Sequence, residues 1–256
     1  MIESKQQDSK KQNEQLVSLP VIEVIQEADE VRTFRVDNSE GRVAVHKPGM
    51  FVKVCLNING EDVWRSFSIS SSPLHPERID LTIKRNPLGQ VGNYFFDQIG
   101  PGSKLLLKGP LGNFYFDPQE HTEPLVLLCA GIGITPMISI VRYLNQSNRS
   151  KPCYLFYGAR SHQDIIFDEE TRKLITEMPE FHYYLTLSQP APHWLGYCGH
   201  LNFDFILSKI PQIPTPRFFL CGPRQFNQDF EKQLFEAGVP HELVHSEQFH
   251  KKRKSK

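Results

Sequence analysis

Closely spaced cysteines are missing from this sequence. Its 256 residues contain five cysteines, each well separated from the next: Cys55, Cys129, Cys153, Cys198 and Cys221. Neither a C-x-x-C zinc pair nor the spacing of a plant-type iron–sulfur cluster is present. No metal site is therefore predicted. Scattered single cysteines favour packing roles in a reducing compartment.

An excess of charge of one sign is also missing. Lys+Arg and Asp+Glu both number 29, so the formal net charge is zero and the global basic field of a nucleic-acid-binding protein is absent. The end of the chain, residues 250–256, is nevertheless basic. It is interpreted either as a solvated, disordered tail or as an electrostatic handle for an acidic partner.

Long hydrophobic runs are lacking as well. The longest apolar region, residues 124–140, is broken by Gly131, Gly133 and Pro136, and no stretch approaches the roughly 18–20 apolar residues of a membrane span. Residues 1–18 are polar and contain no apolar segment of the kind that signal peptides have. We therefore expect a cytoplasmic protein with a disordered polar N-terminal tail.

Residues 19–118 have the pattern of a small antiparallel β-barrel. Short β-branched and aromatic runs alternate with turn residues, which predicts strands over residues 21–25, 31–36, 51–56, 66–70 and 79–84. A helix is predicted over residues 92–99, with Phe95, Phe96 and Ile99 facing inward.

Residues 119–249 have a different pattern, in which strands alternate with helices. Strands are predicted over residues 125–129, 153–157, 182–187, 217–221 and 243–249, and helices over 135–144, 168–178, 203–208 and 224–237. Alternating βα units predict a parallel, doubly wound sheet. The fold class is therefore a two-domain protein, with a β-barrel followed by an α/β nucleotide-binding domain.

The first motif that carries chemistry is a glycine turn after the buried strand 125–129. Gly131 and Gly133 precede a helix in which Thr135 is a natural N-cap and Pro136 a natural first residue. Free backbone N–H groups at a positive helix end suit a pyrophosphate. The third glycine of G-x-G-x-x-G is missing, so a plain strand–helix turn is the alternative.

The second and third motifs lie on predicted strands. In Arg65-Ser66-Phe67-Ser68, the arginine and the aromatic share one face, where they could bind a phosphate and a flat ring. The alternative is an ordinary edge strand. The third motif, Cys221-Gly222-Pro223, ends a strand at the sheet edge where open α/β sheets bind ligands, although a buried structural cysteine would look the same.

In this order the motifs resemble those of the ferredoxin–NADP⁺ reductase family. The segment 65–68 resembles its flavin motif R-x-[Y/F]-[S/T], 109–114 its G-P-x-G-x-F, 131–136 its G-x-G-x-[T/S]-P, 221–223 its C-G-P, and 247–249 its terminal acidic–aromatic element. The resemblance covers residues 19–249. It implies an FAD-binding barrel (19–118) and an NAD(P)-binding α/β domain (119–249).

The resemblance also implies roles for individual residues. Ser68, Cys221 and Glu247 would lie along the hydride path, with Ser68 at the flavin N5 and Thr135 near the nicotinamide. FAD would be held by Arg65, Ser66, Phe67, Ser68, Ile83, Lys84, Arg85, Gly89, Gln90, Val91, Gly92, Asn93, Tyr94 and the terminal Phe249. NADPH or NADH would be held by Gly131, Gly133, Thr135, Pro136, Arg160, Ser161, Cys221, Gly222 and Pro223.

Two positions depart from the family pattern. Gly92 replaces a hydroxyl residue, and Phe67 stands where tyrosine is commoner; each change removes a side-chain hydrogen bond. The choice of coenzyme depends on Arg160, which could receive a 2′-phosphate and so favours NADPH. The sequence Ser188-Gln189-Pro190 lacks the additional basic residue of strongly NADPH-selective members.

The implied activity is hydride transfer from NAD(P)H to FAD. Electrons would then pass to a separate carrier, ferredoxin or flavodoxin, since no iron–sulfur motif is present. Both carriers are usually acidic, and Lys84, Arg85 and the basic tail would suit them. The alternatives are an electron-transfer subunit of a larger complex and a non-catalytic nucleotide-binding regulatory protein.

Overall fold

The computed structural model describes residues 15–149, 151–210 and 215–248. Their contacts divide them into two compact units. The first contains the residues up to 118 together with Ile138–Arg149, and the second contains residues 119–137 and the described residues beyond 150. The described residues contain no helix that is long and apolar enough to cross a membrane.

The first unit is built on a six-stranded antiparallel sheet. Its order is β4-β3-β6-β1-β2-β5, and a bridge between Ile69 and Leu81 joins the chain after β4 to β5, so that the sheet closes into a barrel. The predicted barrel is confirmed. Its elements are β1 (Leu16–Ala28), β2 (Val31–Asp37), β3 (Phe51–Ile58), β4 (Glu61–Ser68), β5 (Arg78–Lys84), α1 (Gln90–Gln98) and β6 (Lys104–Leu111).

The barrel core is mostly aliphatic, and α1 packs against it. Phe95 is fully buried, with its ring 5.0 Å from that of Phe34, and Phe96 and Ile99 pack against the same cluster. The predicted inward face of this helix is therefore confirmed. The helix itself begins two residues earlier than the sequence pattern predicts.

Two barrel strands differ from the sequence prediction. β1 begins at Leu16, so residues 16–18 belong to a strand and not to a disordered tail. β6 was not predicted, because its apolar centre, residues 105–107, consists of leucines, which do not have the β-branched signature of a strand. Leu105 and Leu107 are buried, and β6 pairs with both β1 and β3.

The second unit contains a six-stranded parallel sheet in the order β10-β9-β8-β7-β11-β12. The predicted doubly wound sheet is confirmed. Its strands are β7 (Leu125–Ala130), β8 (Cys153–Ala159), β9 (Phe181–Leu187), β10 (Tyr197–Cys198), β11 (Arg217–Gly222) and β12 (Val244–Gln248). The helices that alternate with these strands along the chain are α2 (Ile134–Gln146), α3 (Asp168–Glu177), α4 (Phe203–Lys209) and α5 (Arg224–Glu236). The residues of α2 from Ile138 onward belong to the first unit, and the other three helices belong to the second.

The strand order creates a topological switch point between β7 and β11. The chain runs outward from β7 through β8 and β9, and then returns to add β11 on the other side of β7. Ligands of open α/β sheets bind beyond the carboxyl ends of the strands at such a point. A nucleotide site is therefore expected at the turns that follow β7 and β11.

A buried histidine makes the stability of the first unit depend on pH. The His46 ring is hydrogen-bonded through Nε2 to the Ser71 carbonyl at 3.1 Å, and burial lowers the pKa of His46 from 6.5 to about 4. The unfolded chain therefore takes up this proton first as the pH falls. Stability is complete above the unfolded pKa and is lost progressively between pH 6.5 and 4.

We expect the free energy of unfolding to drop by roughly 2 kcal/mol between pH 7 and pH 5 because of His46 alone. Urea unfolding at the two pH values measures it. His46→Gln keeps a donor for the Ser71 carbonyl but cannot titrate. The free energy of unfolding of this variant should therefore drop by about 2 kcal/mol less between the two pH values. An equal loss in the variant and in the native chain would contradict the prediction.

Candidate functional site

The glycine turn at the end of β7 lies at the switch point. Gly131 has a φ of +54°, and apart from its two chain neighbours no described residue has an atom within 4 Å of the place that a Cβ would occupy there. At Gly133, by contrast, a Cβ would lie 2.0 Å from the Cys221 carbonyl oxygen. The turn is therefore open at its first glycine and in backbone contact with β11 at its second. This open turn before a helix fits the pyrophosphate of a dinucleotide.

Thr135 does not cap the helix as predicted. The residues 131–133 form a 3-10 turn, and α2 begins directly after it, at Ile134. The Thr135 hydroxyl donates a hydrogen bond to the Ile132 carbonyl at 3.0 Å, and the residue is buried. The N-cap prediction is wrong because the 3-10 turn already supplies the entry into the helix. Pro136 is accordingly the third residue of α2.

The turn after β11 brings the third motif to the same edge of the sheet. Cys221 is paired in register with Cys129 on β7 and with Glu247 on β12, so the three side chains share one face of the sheet. Burial raises the pKa of the Cys221 thiol well above its usual value, and it also raises the pKa of Glu247. Cys221 is therefore a neutral thiol, suited to packing and not to nucleophilic attack.

Asn227 on α5 holds the last strand in place, and the sequence analysis missed it. Its Nδ2 donates to the Glu247 carbonyl at 2.7 Å, and the residue is fully buried. Its Oδ1 has no hydrogen-bond partner among the described residues. Phe230 and Leu234 follow it at helical spacing on the buried face. A polar amide on an otherwise apolar helix face was the available sign that its side chain is hydrogen-bonded to a neighbouring element.

The flavin motif lies on β4, an edge strand of the barrel sheet. Arg65 is exposed, and its Nη1 donates to the Trp64 carbonyl at 2.7 Å. Phe67 packs edge-on against the Phe95 ring at 5.4 Å, which connects the motif to α1. Ser68 is buried, whereas Ser66 is exposed. An exposed guanidinium beside a half-buried ring fits a ligand with a phosphate and an apolar ring.

The amino-terminal end of α1 lies against the end of β5. Gly89 is its N-cap residue and makes no side-chain capping bond, so the first N–H groups of α1, which belong to Gln90, Val91 and Gly92, have no side-chain cap. At Gly92 a Cβ would lie 3.1 Å from the Lys84 carbonyl oxygen. The glycine that replaces the family's hydroxyl residue therefore permits this close approach. Ile83 is buried in the barrel core.

Arg85 is engaged within the barrel unit. Its Nε donates to the Asn93 Oδ1 at 2.8 Å, it pairs with Asp97 at 3.2 Å, and its guanidinium lies over the Phe96 ring. These contacts fix the start of α1 to the end of β5. Tyr94, in the same helix, packs against the barrel core. The predicted roles of Arg85 and Tyr94 in binding FAD remain predictions.

Arg160 and Ser161 follow β8 at the same carboxyl edge of the sheet. The Arg160 Nε donates to the Gln189 Oε1 at 2.9 Å, and the Gln189 N–H donates to the Arg160 carbonyl at 2.7 Å. These reciprocal bonds hold the loops after β8 and β9 together. In the described parts of the chain the terminal nitrogens of Arg160 have no partner. The Ser161 hydroxyl donates to Asp164 at 2.7 Å.

Gly222 and Pro223 complete the turn between β11 and α5. Gly222 is the last residue of the strand, and Pro223 is the N-cap residue of the helix. The predicted Phe249 and the basic tail lie outside the described residues. The structure thus brings together residues 131–135 with 221–223 and Glu247 in the second unit. In the first unit it brings the flavin motif and α1 together.

Comparisons with known proteins agree with this division. A family model described as an oxidoreductase FAD-binding domain matches residues 18–116, and one described as an oxidoreductase NAD-binding domain matches residues 127–232. The two matches together cover most of the chain.

Two curated relatives are reductases. The chain is 31% identical over 231 residues to the glycine betaine monooxygenase reductase subunit of Chromohalobacter salexigens, with 89% of this chain and 62% of that protein covered. It is 29% identical over 230 residues to ferredoxin–NADP reductase B of Sorangium cellulosum, with 86% and 91% covered. The chain thus spans a little less than two thirds of the length of the monooxygenase reductase subunits that it matches.

Among solved structures, the flavohem-like FAD/NAD binding domain of nitric oxide dioxygenase from Vibrio cholerae is similar, with a TM-score of 0.80 and 26% identity. The match covers 91% of this chain and 98% of that one.

Proposed function

We propose that this chain, which belongs to the ferredoxin–NADP⁺ reductase-like flavoprotein oxidoreductases, takes a hydride from NAD(P)H onto FAD and passes the electrons to a separate carrier protein. The observation that carries the proposal is the glycine turn at the switch point, open at Gly131 and in contact with Cys221 at Gly133. The reductase relatives favour an enzyme over a non-catalytic nucleotide-binding protein.

In the proposed site the barrel unit holds the flavin. Arg65 neutralises a phosphate of FAD, Phe67 packs on the ring system or its ribityl chain, and Ser68 donates to the ring edge. The uncapped N–H groups at the start of α1 receive the pyrophosphate. Bound FAD supplies the chemistry that accepts a hydride and releases electrons singly or in pairs.

The second unit holds the coenzyme. The glycine turn and the start of α2 bind the pyrophosphate, while Thr135, Cys221 and Glu247 line the nicotinamide position. The neutral Cys221 thiol excludes water without adding charge beside the nicotinamide. Asn227 keeps Glu247 in position through its backbone bond. We take NADPH as the coenzyme, since the terminal nitrogens of Arg160, at the carboxyl edge of the sheet, have no partner among the described residues and could receive a 2′-phosphate.

A ferredoxin or a flavodoxin is the proposed acceptor. A relative named as a ferredoxin–NADP reductase and relatives named as reductase parts of monooxygenases support an electron-carrier partner. The proposed cellular location is the cytoplasm.

The visible absorption spectrum of the purified chain tests the first half of the proposal. Flavin bands that bleach on anaerobic addition of NADPH are the expected result. Arg65→Gln should weaken FAD binding about tenfold or more, because a charge-assisted phosphate contact is lost. Lys232→Gln, which removes an exposed helix charge, is the matched control. A chain that stays colourless when FAD is added would overturn the proposal.

Arg160→Gln tests the choice of coenzyme. The variant should raise the KM for NADPH about tenfold or more and leave the KM for NADH nearly unchanged, because only NADPH carries the 2′-phosphate. Steady-state reduction of a quinone with each coenzyme measures both constants. Parallel changes for the two coenzymes would show that Arg160 acts on the fold of the loop and not on the phosphate.

A further inference from the structure

Lys151 joins the segments that lead into β7 and β8. Its Nζ donates a hydrogen bond to the His121 carbonyl at 2.8 Å and another to the Glu123 carbonyl. We call these two bonds the Lys151 clamp. β7 begins two residues after Glu123, and β8 begins two residues after Lys151. The clamp therefore holds two neighbouring strands together at their amino ends.

The groups around the clamp disfavour a charged lysine. Lys151 is partly buried, and the buried Arg217 places a second cation near it. The Glu123 carboxylate, which favours the charged form, already accepts two hydrogen bonds from Arg217. Burial and Arg217 lower the pKa of Lys151 from 10.5 to about 8, although Glu123 and Cys153 act in the opposite direction. About a tenth of the Lys151 side chains are therefore neutral amines at pH 7.

The clamp accommodates the neutral amine as well as the ammonium group. An ammonium group has three N–H donors, and a neutral amine has two and a lone pair. The two carbonyls accept both hydrogens of the neutral form, so the lone pair takes the remaining position on the nitrogen. Because Lys151 is only partly buried, a small electrophile can reach this lone pair.

The cluster also contains a thiol, but this thiol is inert. Cys153 is fully buried, and burial raises the pKa of its thiol to about 12. The thiol is therefore neutral at physiological pH, whereas the thiolate is the reactive form of cysteine. A lysine becomes nucleophilic when it is desolvated or lies next to another cation. Lys151 meets both conditions, which makes its amine the more reactive of the two groups.

We propose that Lys151 is an acylation site, at which the amine takes the acyl group of an acyl thioester and the clamp is opened. The nitrogen attacks the thioester carbonyl carbon, a C–N bond forms and the C–S bond breaks. The thiolate leaves and takes up the proton that the nitrogen loses, so the products are an amide and a thiol. The clamp lies at the amino end of β7, whereas the proposed coenzyme turn follows its carboxyl end. The inference is therefore independent of the proposed function.

Acylation removes one of the two clamp bonds and a charge. An acylated lysine is neutral and has a single N–H, so either the His121 or the Glu123 carbonyl loses its donor. We expect the Tm to fall by roughly 2–6 °C. Lys151→Gln, which imitates the acylated form, should show this fall. Lys151→Arg keeps a cation with several donors and should lose about half as much or less.

Acylation rates at individual lysines of the full chain test the proposal. The probe is S-acetyl-N-acetylcysteamine, a small thioester without a nucleotide that the proposed coenzyme site could hold. After each incubation the chain is unfolded and treated with deuterated acetic anhydride, and mass spectrometry then gives the acetylated fraction at each lysine. Lys173 and Lys232, whose side chains are both 74% exposed, are the comparison sites. At pH 7, Lys151 should react about tenfold faster than either of them.

Exposure by itself predicts the opposite order of rates. If Lys173 or Lys232 reacts as fast as Lys151, the proposal is wrong. The rate at Lys151 should follow a titration with a midpoint at about 8, and a midpoint at the ordinary value of 10.5 would contradict the proposal. In concentrated urea the preference for Lys151 should disappear, because the cluster is lost; a preference that persists there would assign it to the local sequence. Equal Tm values for Lys151→Gln and Lys151→Arg would show that acylation does not open the clamp.

Discussion

Replacing Gly133 with alanine is expected to destabilise the second unit by about 3 kcal/mol or more and to abolish tight coenzyme binding. The added Cβ would lie 2.0 Å from the carbonyl oxygen and 2.6 Å from the carbonyl carbon of Cys221. Both are backbone atoms of β11, so no side chain can rotate away to relieve the overlap. The turn would have to move from the strand, and its N–H groups would no longer point to one place.

Gly158→Ala is the matched control for that prediction. Gly158 lies in β8 of the same sheet, and a Cβ there would meet the Leu201 and Ala130 side chains at 3.6 and 3.8 Å, which are ordinary contacts. The free energy of unfolding of Gly158→Ala should differ from that of the native chain by less than about 1 kcal/mol. Urea unfolding and anaerobic coenzyme titration measure both variants. Equal stability and equal affinity in the two variants would show that β7 and β11 do not meet as described.

Arg217→Met is expected to cost about 3 kcal/mol of stability, which lowers the Tm by roughly 6–12 °C. Arg217 is buried and donates through Nε and Nη2 to the two carboxylate oxygens of Glu123, both at 3.1 Å. Its Nη1 also contacts the Glu242 carbonyl and the His245 ring. Methionine fills much of the space, but it leaves a partly buried carboxylate without its cation.

The pKa values of Glu123 and His245, which both contact Arg217, predict a second effect of the variant, on the pH dependence of stability. The hydrogen bond from Arg217 holds the pKa of Glu123 below its usual value, while burial and Arg217 lower the pKa of His245 to about 4. Glu123 therefore contributes stability above its unfolded pKa, and this contribution is lost as the pH falls. In Arg217→Met the stability that comes from the hydrogen bond between Arg217 and Glu123 is absent at every pH. The loss of stability that accompanies protonation of Glu123 should therefore disappear.

Lys173→Met is the control for charge removal, because Lys173 pairs with Glu177 at 3.2 Å on an exposed helix face. It should change stability by less than about 0.5 kcal/mol. Arg217 begins β11 and Gly222 ends it, so Arg217 lies at the opposite end of the strand from the glycine turn that we propose as the coenzyme site. Coenzyme KM should therefore stay the same in Arg217→Met. A large KM change without loss of stability would contradict this assignment.

The sequence predicted most of the elements because hydrophobic periodicity is a local property. The buried strand 125–129 follows from a continuous apolar run, and it extends to Ala130 in the structure. The amphipathic α5, with its stop at Gly238, and the inward face of α1 follow from residue spacing. The sequence missed β6, whose leucines have no strand signature, and β10, which has only two residues. It also misplaced Thr135, since the 3-10 turn before α2 depends on how Gly133 meets β11.

Candidate site residues were predictable by type but not by partner. Gly133 was expected to make room for a phosphate; in the structure it makes room for the Cys221 carbonyl. Arg85 was assigned to FAD diphosphate, and the structure shows it bound to Asn93 and Asp97. Asn227 was overlooked because the strand end that it holds lies 20 residues away.

By itself, the sequence determined a barrel followed by a βα domain, a chain without net charge, and two glycine-containing turns at strand ends, 131–136 and 221–223, the first of them suited to a pyrophosphate. Only the tertiary structure decided that β11 returns to the side of β7, which makes the two turns neighbours at a switch point. It also decided that Lys53 faces Lys108. The physical reason is that periodicity encodes which face of a strand is buried, whereas packing of the whole core selects which strands pair and in what register.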